Sequence, residues 1–300
     1  YFCSVKQQIM KRNKFLKGSL LTAATLTVAG TFNRVFSNHE EELRPAEQVG
    51  FEHLPTKKSN VMANMILHRA DERGIADHGW LNSFHSFSFA EFYNPNKMNF
   101  GVLRVLNDDT VSAGRGFGTH PHSNMEIISI PLEGDLEHKD SMGTTAVIKH
   151  GDIQVMSAGT GIYHSEYNKN GDKPVKFLQI WVIPKVKDVK PRYDQITLNA
   201  ADRHNKFQQI LSPNADDAGV WIHQDAWFNL GKFDKGQVTD YKLNKTGNGV
   251  YAFVLSGKAT INGQALDTRD AVGVWDTDKL SLTADADAEI LLMEVPMSNG

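Results

Sequence analysis

Three hundred residues suffice for one large domain or two of ordinary size, each burying a real core. A hydrophobic content of 40% and a charged content of 22% are those of a soluble globular protein, and the single cysteine, Cys3, excludes thiolate ligands, a structural disulfide and a cysteine nucleophile from the body of the chain. The net charge of −3 is unevenly spread: residues 1–38 carry six basic side chains (Lys6, Lys11, Arg12, Lys14, Lys17, Arg34) and no acidic one, leaving 26 basic against 35 acidic residues elsewhere. A body that acidic lacks the footprint needed to hold a nucleic-acid backbone, so no nucleic-acid partner is expected.

The basic stretch 10–17 is followed by a mildly apolar run, 18–32, with small residues at Val28, Ala29 and Gly30. That run is too short and too rich in Thr, Gly and Ala to form a stable membrane anchor. Arg12-Asn13-Lys14-Phe15-Leu16-Lys17 resembles a twin-arginine export signal in which Asn13 replaces the second arginine. Residues 1–38 are therefore expected to be a signal segment directing export to the periplasm; the alternative is an uncleaved basic tail on a cytoplasmic protein. Residues 39–64, charged and holding Pro45 and Pro55 without a sustained period, read as a linker.

From Met65 onward short strands alternate with turn residues, the pattern of an all-β sandwich or barrel. Alternation at Phe87-Ser88-Phe89 predicts a strand, as does the run 100–106, stopped by Asn107-Asp108-Asp109. Strands over 125–132 and 176–183 end at Glu133-Gly134-Asp135 and at Pro184. A second set follows, 250–256 turning at Gly257 into 258–262, and then 288–295. The strand, glycine turn and strand of 130–137 recur at 254–260, a weak internal similarity that suggests two barrels of related design, 65–188 and 189–297, joined near 185–194.

Eight of the twelve histidines (His68, His78, His85, His120, His122, His138, His150, His164) fall between residues 68 and 164. Side chains at i and i+2 of a strand share a face. His120 and His122 thus offer two imidazoles to one point, and His164 with Glu166 an imidazole and a carboxylate. A His-x-His alone is also the pattern of a buried hydrogen-bonding pair, but here both segments follow glycine-rich stretches, 114–118 and 157–161. Three neutral nitrogens and a carboxylate suit a divalent first-row metal with positions left open for substrate. Glu126 shares the parity of His120 and His122, so spacing alone permits either glutamate as the ligand. Without a following helix or Gly-Lys-Ser/Thr, the glycine-rich stretches read as tight turns rather than phosphate loops. Asp140-Ser141-Met142-Gly143 reads as a turn. His204 and His223 stand in no paired spacing, so the second barrel is expected to hold no metal.

Gly114, His120, His122 and Glu126, with Gly134 beyond, follow the first cupin motif; Gly151, Ser157-Ala158-Gly159, His164 and Asn168 follow the second. More finely, the opening 65–74, His120-Pro121-His122, Leu132-Glu133-Gly134, 138–143 and 151–166 resemble the pirin family, in order and across 65–297. The resemblance implies an all-β bicupin of two tandem β-barrels (double-stranded β-helices), the N-terminal one metal-bearing and the C-terminal one degenerate. It implies His120, His122, His164 and Glu166 as metal ligands, with Glu126 either a partner that holds an imidazole tautomer or a buried polar residue. The implied activity is that of a metal-dependent dioxygenase of the quercetinase type. A flavonol or other small aromatic enol would coordinate the metal through its enolate oxygen and be cleaved by O2, with carbon monoxide released in the quercetinase case. Glu166 would be both ligand and the base for the hydroxyl proton. Iron(II) is the first expectation for the metal; copper, manganese, nickel, cobalt and zinc tolerate the same ligands. Two alternatives follow from the same resemblance, a metal-dependent redox sensor or interaction protein of the pirin type, and a cupin isomerase or small-molecule binding module.

Overall fold

The computed structural model describes residues 63–298, most of them in strands. The expected signal segment, and the expected linker up to residue 62, lie outside the described residues; the first strand begins at Asn64.

Two barrels are built on one plan. In the first, a seven-stranded sheet runs Arg192–Thr197, Asp152–Ser157, Glu126–Glu133, Val175–Val182, Leu103–Val111, Leu81–His85 and Gly74–Asp77. Its four-stranded partner runs Gly116–His122, Ile162–Asn168, Asp135–Asp140 and Thr145–Lys149. The second barrel has the sheets Asn64–His68, Ala271–Trp275, Asn248–Ser256, Ala288–Pro296, Trp227–Phe233, Phe207–Ser212 and Val220–Trp221, against Val238–Lys242, Lys279–Ala284, Ala259–Ile261 and Gln264–Leu266. It departs from the first only at the last pair of the large sheet, which is parallel where Leu81–His85 and Gly74–Asp77 are antiparallel.

The expected division at 188/189 is crossed in both directions. Asn64–His68 pairs with Ala271–Trp275 in the second barrel, and Arg192–Thr197 with Asp152–Ser157 in the first. Each large sheet thus ends in a strand from the other half of the chain, which pairs with Ala271–Trp275 in one sheet and Asp152–Ser157 in the other. The choice depends on which edge lies nearby in space, and a strand's own residues do not encode that.

The large sheets pack back to back. Phe100, Ile128, Ile130 and Leu178 of the first barrel join Leu211, Phe228, Phe253 and Met293 of the second in one cluster. Strands such as Glu126–Glu133 and Asn248–Ser256 are buried on both faces, which explains their nearly continuous apolar runs. The second barrel's interior is filled by Phe233, Val250, Ala252, Leu280 and Leu282. The first barrel has an apolar floor of Leu81, Val111, Leu136, Ile148, Val175 and Phe177, and polar groups above it.

Two strand expectations change. Leu103–Val111 runs straight through Asn107-Asp108-Asp109, paired on both sides by Leu81–His85 and Val175–Val182. Two of those polar side chains have partners in place: Asp108 meets Arg73 at 3.2 Å and Arg269 at 2.8 Å, and Asp109 accepts the Ser83 hydroxyl. At Phe87-Ser88-Phe89 there is no strand; the preceding one ends at His85, and Phe87 is fully buried from a loop that Ser88 pins by donating to the Asn94 carbonyl at 2.8 Å.

Candidate metal centre

The antiparallel pairing of Gly116–His122 with Ile162–Asn168 sets His164 directly opposite His120. The register then slips, and Glu166 faces Phe117 instead of Gly118. Because of this bulge Phe117 packs on the barrel floor although it stands three residues from His120. Gly116 is required at the same place: a Cβ there would lie 2.2 Å from the Glu166 carbonyl oxygen and 2.5 Å from Tyr167 Cα.

Ligand nitrogens of His120, His122 and His164 all lie within 4.8 Å of one another, with His120 Nε2 and His164 Nε2 3.0 Å apart. His120 Nδ1 stands 2.8 Å from the Gly118 carbonyl and donates to it, leaving its Nε2 lone pair free. Burial first, then the neighbouring imidazoles, lowers both His122 and His164 to about 3, so both rings are neutral at physiological pH. Converging neutral imidazoles are the donor set a divalent ion takes, and the three histidines form a metal-binding site.

The expected carboxylate ligand, Glu166, stands two residues along the same strand from His164. It occupies the next inward position after His164, 2% exposed, accepting from Gln179 Nε2 at 2.6 Å while its other oxygen lies 3.1 Å from Ser129 Oγ. Burial, reinforced by the nearby Glu166 charge, pushes the Asp109 carboxyl up to about 7 despite its bond from Ser83. On one side of the centre Trp181 stands edge-on to His122 (4.9 Å, 84°) and to Phe89 (5.4 Å, 86°).

Glu126 takes the second of its two expected roles. It is buried and accepts from Ser157 Oγ at 2.7 Å and from the His223 backbone, on the side facing Arg192. Burial raises its carboxyl to about 7, against those hydrogen bonds and the Arg192 charge. His150 lies outside the centre, its Nδ1 3.3 Å from the Pro131 carbonyl. Asp140 does form the expected turn, Oδ1 accepting from Met142 N at 2.9 Å and Thr144 N at 3.1 Å, but its Oδ2 also meets His138 Nε2 at 3.1 Å. The expected turn at Asp140 thus also carries a contact to His138, another i, i+2 pair on one strand.

The Pirin family model matches residues 68–182, and a model described as the quercetinase C-terminal cupin domain matches 209–295. A quercetin 2,3-dioxygenase of Escherichia coli (strain K12) is 44% identical over 232 residues, covering 77% of this chain and 99% of that one. The chain belongs to the pirin family. Another relative, a pirin-like protein of Caulobacter vibrioides, is 40% identical over 75% of this chain and 96% of its own length. Among solved structures, the bacterial pirin YhhW of Escherichia coli in complex with nickel(II) is 42% identical, with a TM-score of 0.74 over 78% of this chain and 99% of that one. The pirin bicupin expected from the motifs is the fold observed.

Proposed function

We propose that this pirin is a metal-dependent dioxygenase of the quercetinase type, cleaving a flavonol or related aromatic enol with O2. The observation that carries the proposal is the convergence of three imidazoles, two held neutral by burial, inside a pirin barrel. The likeness to a quercetin 2,3-dioxygenase over nearly that protein's whole length supports the reading. His120, His122 and His164 would hold the ion, with Glu166 as fourth ligand; iron(II) is the metal we favour. When bound, the ion supplies Lewis acidity that stabilises the substrate's enolate and makes it reactive towards O2.

The chain's own groups do the rest. Gln179 and Ser129 orient the Glu166 carboxylate, which takes the hydroxyl proton of the substrate. Trp181 and Phe89 offer an aromatic wall to a flat ring. We also propose that the basic segment at the N-terminus directs export to the periplasm.

The test strips the protein with a chelator, reloads separate samples with iron(II), manganese, cobalt, nickel, copper or zinc, and follows quercetin absorbance in air. Loss of turnover on stripping and its return with iron(II) is the expected result. Turnover unchanged by stripping would overturn the proposal.

A further inference from the structure

Behind the three imidazoles lies a buried pair that the proposed reaction does not use. His138 and Asp140 stand on Asp135–Asp140, the strand that flanks Ile162–Asn168 on the side away from His120. Both side chains are 0% exposed. His138 bridges the two elements: its Nε2 lies 3.1 Å from Asp140 Oδ2 and its Nδ1 3.5 Å from His164 Nδ1. The ring of Tyr193, from the exchanged strand Arg192–Thr197, covers His138 at 4.8 Å.

The direction of these bonds follows from Asp140. Two backbone donors, Met142 N and Thr144 N, meet Oδ1, the Thr144 side chain also bonds the carboxylate, and Oδ2 is the oxygen that faces His138 Nε2. A carboxylate only accepts, so His138 donates from Nε2; in the neutral imidazole Nδ1 is then the acceptor. The group facing that acceptor is His164 Nδ1, which must bring the proton, leaving the His164 Nε2 lone pair aimed towards His120 Nε2 at 3.0 Å.

We propose that Asp140 and His138 form a positioning relay that locks His164 in its Nδ1–H tautomer and so presents Nε2 to the metal. The relay rests on the metal reading above. An outer partner that fixes a ligating imidazole typically accounts for about 10- to 100-fold in metal affinity.

Asp140→Asn tests the direction of the relay. The two backbone donors claim the amide oxygen, the amide NH2 then faces His138 Nε2, and each tautomer beyond it inverts until His164 carries its proton on Nε2. Zinc(II) affinity, measured by competition with a chromophoric chelator, is expected to fall about 10- to 100-fold. Imidazole 15N spectra of the metal-free proteins are expected to show His164 as Nδ1–H and His138 as Nε2–H in the wild type, with both reversed in the variant. The wild-type spectrum decides the matter even if the variant does not fold. His164 protonated at Nε2 in the wild type, or zinc bound by Asp140→Asn within twofold of wild type, would overturn the relay. His122→Ala separates the two ideas: if it binds zinc as tightly as wild type, the metal reading fails and takes the relay with it. If it binds poorly while Asp140→Asn binds normally, only the relay fails.

Discussion

Replacing Glu126 by Gln separates a buried structural carboxyl from a metal ligand. The glutamate is 1% exposed, and its pKa rises from 4.5 to about 7 through burial. A carboxyl whose folded-state pKa is raised binds its proton more tightly in the folded chain. Its contribution to stability is therefore complete below about 4.5, declines as pH climbs towards 7, and is level above that. The shift corresponds to about 3 kcal/mol at most between the two ends of that window. Glutamine keeps an acceptor for Ser157 Oγ and carries no charge. At pH 8 the variant should be the more stable protein by up to about 3 kcal/mol, a rise of several degrees in Tm for a fold of this size. At pH 4.5 the two should melt together. Scanning calorimetry of the metal-loaded proteins at pH 4.5, 6, 7 and 8 measures the difference, and metal content is read on the same samples. A variant less stable than wild type at pH 8, or one that has lost its metal, would refute the reasoning and return Glu126 to the ligand set.

Three further outcomes are expected. Gly116→Ala drives a Cβ against the Glu166 backbone and should cost about 1–3 kcal/mol in urea unfolding, with metal affinity falling as the His120–His164 register loosens. Trp181→Leu removes the aromatic wall beside His122 and should raise the flavonol KM about two- to tenfold with a smaller change in kcat, as steady-state kinetics would show. If the N-terminal segment directs export, the full chain expressed in a bacterium with a working twin-arginine pathway should fractionate with the periplasm, and Arg12→Ala should retain it in the cytoplasm.

The parts of this molecule legible in its sequence are those with a local physical cause. Strands sandwiched between the barrel interior and the shared core, such as Val175–Val182, are apolar along nearly their whole length and announce themselves. His120 with His122, and His164 with Glu166, could be paired because strand parity is a local property. Other features depend on neighbours in space. Asp108 stays within a strand because Arg73 and Arg269 arrive from distant positions. Phe117 faces inward because the register slips beside Glu166, which simple alternation does not foresee. The exchange of Asn64–His68 and Arg192–Thr197 between barrels reflects the placement of sheet edges. His138 looked like one histidine among many, and only the fold sets it between Asp140 and His164.

Oxygen uptake tests the central claim most directly. Iron(II)-loaded protein is given a limiting amount of quercetin in an oxygen-electrode cell, beside the His122→Ala variant treated in the same way. A flavonol dioxygenase acting at this centre should consume about one O2 for each flavonol lost, and the variant should stay at the background rate. Uptake that persists in His122→Ala, or flavonol loss without matching oxygen consumption in the wild type, would contradict the account.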